Sequence, residues 1–304
     1  MSRKTSLAKR FWQQKELWVL LVPCLLFYII FHYVPMAGLV MAFQRRAPMG
    51  NFFAGEWVGF MHFQTFFNSP FLWRLIRNTF LLSFYSLIFG FPVPIIFAIL
   101  LNEIQGKRFK KVVQTVSYLP FFISLVIVVG ILRQMVAVDT GVVNRIIETF
   151  GGEQINFFMS REWFRTLFVG SSIWQFFGWE SIIYLAAMSA IDTQLYEAAT
   201  IDGANRFRRI WHVTLPGIAP TIIILLIMNL GNLLNIGHER VILMYNEATW
   251  ETADVISTFV FRVGLHEGNH NFGAAVGLLN SIFALFFLST SNFFSKKITG
   301  VGLW

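Results

Sequence analysis

Residues 191–216 read IDTQLYEAATIDGANRFRRIWHVTLP. This polar stretch separates two long apolar runs and carries a helical pattern of its own. Asp192 can cap a short helix running through Tyr196, Glu197, Ala198 and Ala199, and Gly203, just after Asp202, can end it. A second, basic helical turn comes next with Arg206, Arg208, Arg209 and His212, and Leu215-Pro216 introduces the next apolar run. Ala198 and Ala199 leave a thin face that another surface can approach closely. The segment is too ordered for a tether and too short for a domain. On these residues alone two readings stay open: docking to a partner protein, or an amphipathic helix lying on anionic lipid.

The flanks of the segment are membrane. Of 304 residues, 56% are hydrophobic and 13% charged, with a mean hydropathy of +0.60. A soluble domain of this length has too little interior to hide that much apolar surface. Six apolar stretches, at 17–43, 78–102, 112–137, 166–190, 217–236 and 272–294, each hold about 20 residues or more, enough to cross a hydrocarbon core of roughly 30 Å. The first is too long for a signal peptide, and no small-residue cleavage site comes after it. Prolines within or beside these runs (Pro23, Pro35, Pro92, Pro94, Pro120 and Pro220) predict kinked helices packed on one another. The expected architecture is an all-α membrane protein of six transmembrane helices. Residues 1–16 form a cytoplasmic segment, 17–295 the membrane domain and 296–304 a cytoplasmic tail.

Charge gives the orientation. With the N-terminus inside, all eight lysines lie on the inner side, while the outer segments carry ten arginines against eleven acids. The positive-inside rule then predicts N-in and C-in. Basic clusters beside apolar runs also argue against nucleic acid as a partner, despite the net charge of +8. The single cysteine, Cys24, excludes an internal disulfide and a multi-cysteine metal site, and is expected to be a buried, inert thiol. His238, Glu239, Glu247, Glu251, Asp254, His266, Glu267 and His270 gather in the last outer segment without metal-ligand spacing, so a solvated or partner-facing loop is expected there. No catalytic constellation and no metal site are expected.

The spacing Glu197-Ala198-Ala199, three residues, Gly203, nine residues, Val213, one residue, Leu215-Pro216 resembles the EAA motif of permease subunits of binding-protein-dependent ABC importers. Its place between the fourth and fifth apolar runs suits the type I permease fold. Tyr33-Val34-Pro35-Met36-Ala37-Gly38, Phe91-Pro92-Val93-Pro94, Gly141-Val142-Val143-Asn144, Ile183-Tyr184-Leu185-Ala186-Ala187, Leu243-Met244-Tyr245-Asn246 and Glu251-Thr252-Ala253-Asp254-Val255-Ile256 look like the sugar-permease subgroup serving oligosaccharide uptake, which includes the bacterial alginate importers. Gly237-His238-Glu239-Arg240-Val241 departs from it, with His238 and Arg240 where Phe and Gln are usual.

The resemblance implies a multi-pass subunit of the bacterial cytoplasmic membrane, moving an oligosaccharide, neutral or acidic such as alginate, by alternating access. Glu197, Ala198, Ala199, Asp202, Gly203, Arg206, Leu215 and Pro216 would form the coupling helix and its mount, seated on a separate ATPase. The implied partners are a second permease subunit in a heterodimer, two ATP-binding subunits and an extracytoplasmic solute-binding protein. The chain has no GxxxxGK[ST] loop, so ATP and magnesium are expected on the partner ATPase and no cofactor on this chain. An ion-coupled secondary transporter is the alternative; it requires internal repeats and several membrane acids, and Glu180 is the single acid deep in a span.

Polar residues at membrane depth mark the expected substrate path. Asn229, Asn232 and Asn235 recur at three-residue spacing, suited to sugar hydroxyls or to hydrogen bonds between helices. Trp174 and Trp179 could stack on sugar rings or pack against protein. Glu180 and Arg133 lie about 15 Å apart in depth on straight helices, too far for a direct ion pair.

Overall fold

The computed structural model describes residues 15–45, 55–233 and 236–303. The cytoplasmic segment expected over 1–16 lies almost wholly outside them. The principal helices are α1 (Lys15–Phe43), α2 (Leu72–Glu103), α3 (Lys107–Phe122), α4 (Leu125–Met135), α5 (Arg161–Ser189), α6 (Thr193–Ile201), α7 (Arg206–Gly231), α8 (His238–Met244) and α9 (His270–Thr299). Among the described residues, pairing between extended segments is limited to one bridge, Gln44 with Trp57.

Four helices, α1, α2, α7 and α9, are long and apolar enough to cross a membrane. The stretch expected as the third span, with Pro120 among the prolines that predict kinks, is sharply bent. α3 and α4 meet at 103° across Ile123 and Ser124. At about 1.5 Å per residue the arms reach roughly 24 and 16 Å, so neither crosses the hydrocarbon alone. The fourth expected span does form a helix, α5, 29 residues long, but its Ser171, Gln175, Glu180 and Ser181 keep it outside the apolar group. Ser171, Gln175 and Ser181 are buried in protein, which is where a membrane helix places such side chains.

The prolines distort the helices in a regular way. Three π-helical turns, Ile29–Tyr33, Ser86–Gly90 and Ile210–Thr214, each end two residues before a proline, at Pro35, Pro92 and Pro216. A proline ring collides with the carbonyl four residues back and offers it no N–H. That carbonyl belongs to Phe31, Ile88 or His212, the middle residue of each π turn. Widening the turn moves it away from the ring.

The chain divides into two compact units. The smaller comprises residues 1–67 and 263–278. In it the Gln44 carbonyl accepts hydrogen bonds from His62 Nε2 at 2.9 Å and Asn271 Nδ2 at 2.8 Å, and Phe43 stacks on Trp57. The most apolar stretch of α1 has no buried residue, and Cys24 on it is exposed. The expectation of a buried thiol fails: among the described residues, none of the apolar stretch that carries Cys24 is buried.

The larger unit comprises residues 68–262 and 279–304, with α5 at its centre. Gly178 lets α5 touch α3: a Cβ there would lie 2.0 Å from the Ser117 carbonyl oxygen. One core gathers Leu82, Phe164, Phe168, Val241, Met244 and Val255, and another joins Ala98, Tyr184, Met188 and Ile218.

In the segment expected as a solvated or partner-facing loop, Glu239, Glu247, Glu251, His266, Glu267 and His270 are exposed, whereas the stretch around Asp254 is packed. Val241, Met244, Ala253, Val255 and Asp254 are buried. The Asp254 carboxylate accepts from Arg74 at 3.2 Å, Arg262 at 2.9 Å and the Thr258 hydroxyl at 2.9 Å. Asn78, fully buried, donates to the carbonyls of Glu251 and Asp254. Burial alone would disfavour the Arg262 charge, but its hydrogen bonds and charge contact with Asp254 hold its pKa above the ordinary arginine value.

Candidate functional site

Two regions of the larger unit carry the residues singled out by sequence. The first is α6 and its mount. Asp192 accepts from the Gln194 backbone N–H at 2.9 Å and so satisfies a free donor of the first turn. At the other end Gly203 adopts φ +74°, and two bonds close the turn: Ala204 N–H to the Ala199 carbonyl, and Gly203 N–H to the Thr200 carbonyl. This double closure is the Schellman arrangement, and left-handed backbone at its pivot is the reason for glycine. Asn205 caps the next turn by accepting from Arg208 N–H.

α6 is fastened to α7 at two points. The Tyr196 hydroxyl meets the Thr214 hydroxyl, and Arg209 donates to Thr200 Oγ1 at 3.2 Å. Ile191 packs against Gly217 so closely that a Cβ there would lie 2.6 Å from its Cδ1. Glu197, Ala198, Asp202, Gly203 and Arg206 are exposed, with Ala199 and Leu215 half-buried; Pro216, in the first turn beyond the π segment, is also exposed. Ile201, Phe207 and Trp211 stand out by 87, 83 and 69%. Such apolar exposure fits a surface that contacts something else. Sequence reading did not single out these three, although each is a large apolar residue amid charge.

The second region is a cavity of about 1060 Å³, at the upper end of small-molecule sites (about 300–1,000 Å³). α2 contributes Ser83, Ser86, Leu87 and Gly90, the last three from its π turn. Gln175, Phe176, Trp179 and Glu180 come from α5, Asn229 from α7, Asn232 from the turn after it, and His238, Glu239 and Arg240 from α8.

Of the residues expected on a substrate path, Glu180, Asn229 and Asn232 line this cavity, as does Trp179, while Trp174 does not. Asn235 lies outside the described residues. Asn229 and Asn232 donate to the carbonyls of Leu225 and Met228, four residues back in their own helix, instead of bonding between helices. Trp179 is stacked on Phe121, with centroids 4.3 Å apart and planes within 4°. Arg133 donates to the Leu243 carbonyl and lies over the Phe158 ring, away from Glu180 as the depth count implies.

Sequence reading did not mark Gln175 and Arg240 as cavity residues. Gln175 Nε2 donates to the Ile123 carbonyl at 3.0 Å, satisfying backbone that the bend sets free, and its Oε1 accepts from Arg240. Only the unusual Gly237-His238-Glu239-Arg240-Val241 run hinted at this wall.

Comparison with known proteins agrees with this geometry. Residues 80–237 match the model of the binding-protein-dependent transport system inner membrane component. Protein LplB of Bacillus subtilis (strain 168) is 44% identical over 96% of this chain and 92% of its own. YteP of the same organism, a polygalacturonan/rhamnogalacturonan transport system permease protein, is 43% identical over 96% and 91%. A chain in the crystal structure of a bacterial ABC transporter involved in import of the acidic polysaccharide alginate matches with TM-score 0.88 and 42% identity, covering 96% of this chain and 99% of that one. A chain of the alginate transporter in complex with an alginate pentasaccharide-bound periplasmic protein matches with TM-score 0.89 and 42% identity, covering 98 and 99%. A multi-helix membrane chain with a doubly closed helix before α7 and a cavity against its far end is thus a member of the family of inner membrane components of binding-protein-dependent transport systems, with the type I permease fold.

Proposed function

We propose that this chain forms one half of the pore of an ATP-driven importer that carries an acidic oligosaccharide across the cytoplasmic membrane by alternating access. The observation that carries the reading is α6: a short helix closed at both ends and bonded to the base of a membrane-length helix. A floppy loop would absorb a push, whereas this mount passes it into α7. The acidic class is supported by two relatives that serve alginate and polygalacturonan.

In this reading the chain crosses the membrane six times with both ends inside, counting the bent α3–α4 pair and α5. A second permease subunit completes the pore. Two ATP-binding subunits hold ATP and magnesium, and α6 sits in a groove of one of them, with Glu197, Ala198, Ala199 and the exposed Ile201 and Phe207 at the contact. A solute-binding protein docks outside and releases sugar into the cavity, where Glu180, Asn229 and Asn232 offer polar contacts to its hydroxyls.

The test is uptake into liposomes holding the chain with its co-encoded partners, with ATP inside and the sugar-loaded binding protein outside. Uptake that requires ATP and proceeds without an ion gradient is expected. Charge reversal at Glu197 should lower sugar moved per ATP hydrolysed, with membrane insertion retained. Uptake driven by an ion gradient alone would overturn the reading.

A further inference from the structure

We infer that Arg240 is the cavity's receptor for a sugar carboxylate, a specificity residue resting on the importer reading above. Its side chain is 7% exposed and lines the cavity from α8. Nη1 donates to Ser171 Oγ at 3.0 Å and Nη2 to Gln175 Oε1, and the guanidinium lies 5.7 Å from the Phe176 ring centroid. Both acceptors are neutral. Among the described residues no carboxylate stands within ion-pair distance of it.

A buried cation without a counter-ion is costly, and natural proteins normally pair one. The contrast within this unit is direct: Arg74 and Arg262 share Asp254, and Arg77 pairs with Glu251. Arg240 alone of these four faces the cavity. Two neutral partners and an aromatic face fix its plane, and its remaining N–H groups are suited to a carboxylate. Glu180 and Glu239 line the same cavity. Their carboxyls suit hydroxyls, which leaves Arg240 as the one lining residue with a permanent positive charge to offer a uronate. A neutral sugar leaves Arg240 without its counter-ion; a uronate supplies it.

The experiment uses the assembled transporter in nanodiscs without binding protein. Equilibrium dialysis measures trigalacturonate and its carboxyl-reduced counterpart. Wild type is expected to bind the acid at least tenfold more tightly. Arg240→Gln should reduce that preference tenfold or more, and Arg240→Lys should retain part of it. Ser171→Asp keeps the arginine but pairs it internally, so it should also erase the preference; it decides the matter should Arg240→Gln not assemble. No binding of trigalacturonate, equal binding of both probes, or a preference that survives these neutralising variants overturns the assignment. A complex that imports sugar but shows no preference refutes only this role of Arg240. Failure of ATP-dependent uptake with every sugar tested refutes the importer reading itself.

Discussion

The hydroxyls of Tyr196 and Thr214 lie 3.0 Å apart, one on α6 and the other buried in the π turn at the base of α7. With the Arg209–Thr200 bond, this contact makes two short helical pieces move as one body with a membrane helix. Removing the hydroxyl in Tyr196→Phe deletes a bond worth about 1 kcal/mol, roughly a fivefold shift between fastened and loosened states. Sugar transported per ATP should fall severalfold, measured as paired uptake and phosphate release in liposomes. An unchanged ratio would show that the strap transmits no force.

Pro216 forces the π turn that sets the rotational phase between α6 and the membrane-spanning part of α7. In Pro216→Ala the His212 carbonyl regains a donor and the turn can close to ordinary α-helix. Losing the extra residue rotates the α6 side by about 100° relative to the membrane-spanning part of α7. Stimulation of ATPase by loaded binding protein should be largely lost, and a cysteine pair across Tyr196 and Thr214 should no longer cross-link. Retained cross-linking would contradict the proline's role.

Gly178 permits the closest approach between α5 and α3. A methyl group would meet the Ser117 carbonyl oxygen at 2.0 Å, a backbone atom that cannot swing aside. Gly178→Ala should therefore destabilise by about 1–3 kcal/mol, the usual cost of overpacking. A lower melting temperature for the purified chain checks this, with Gly170→Ala as control, since nothing lies within 4 Å of a Cβ there.

Asp254 is the common anchor of Arg74 and Arg262. Asp254→Ala leaves two arginines, each about three-quarters buried, without their counter-ion, and should cost about 3 kcal/mol or more. Proteolysis under graded denaturant should cut the 238–262 segment at lower denaturant in the variant. Equal resistance would mean that apolar packing alone holds it.

Short-range chemistry made α6 legible in the sequence. Asp192, Gly203 and Pro216 act within a few residues, so cap, stop and the next helix could all be read from spacing. Pro120 signalled a kink in the third apolar run, but the 103° size of the bend could not be read, because an apolar run says how greasy a segment is and not where its axis points. The packing around Asp254 was hidden for another reason: it finds Arg74 across 180 residues, and only that partner sets it apart from the exposed acids and histidines of the same stretch. Helical phase explains the tryptophans. Trp174 and Trp179 are five residues apart, about 140° around α5, so one reaches the cavity and the other does not. For Cys24, apolar surroundings in sequence do not amount to burial in protein.

Gln175 holds the Ile123 carbonyl with one end of its amide and Arg240 with the other. The elbow between α3 and α4 and the charged wall of the cavity are therefore linked through a single planar group. Neither end of that amide can shift without stretching the bond at the other, so the angle of the joint and the setting of the guanidinium share one fastening.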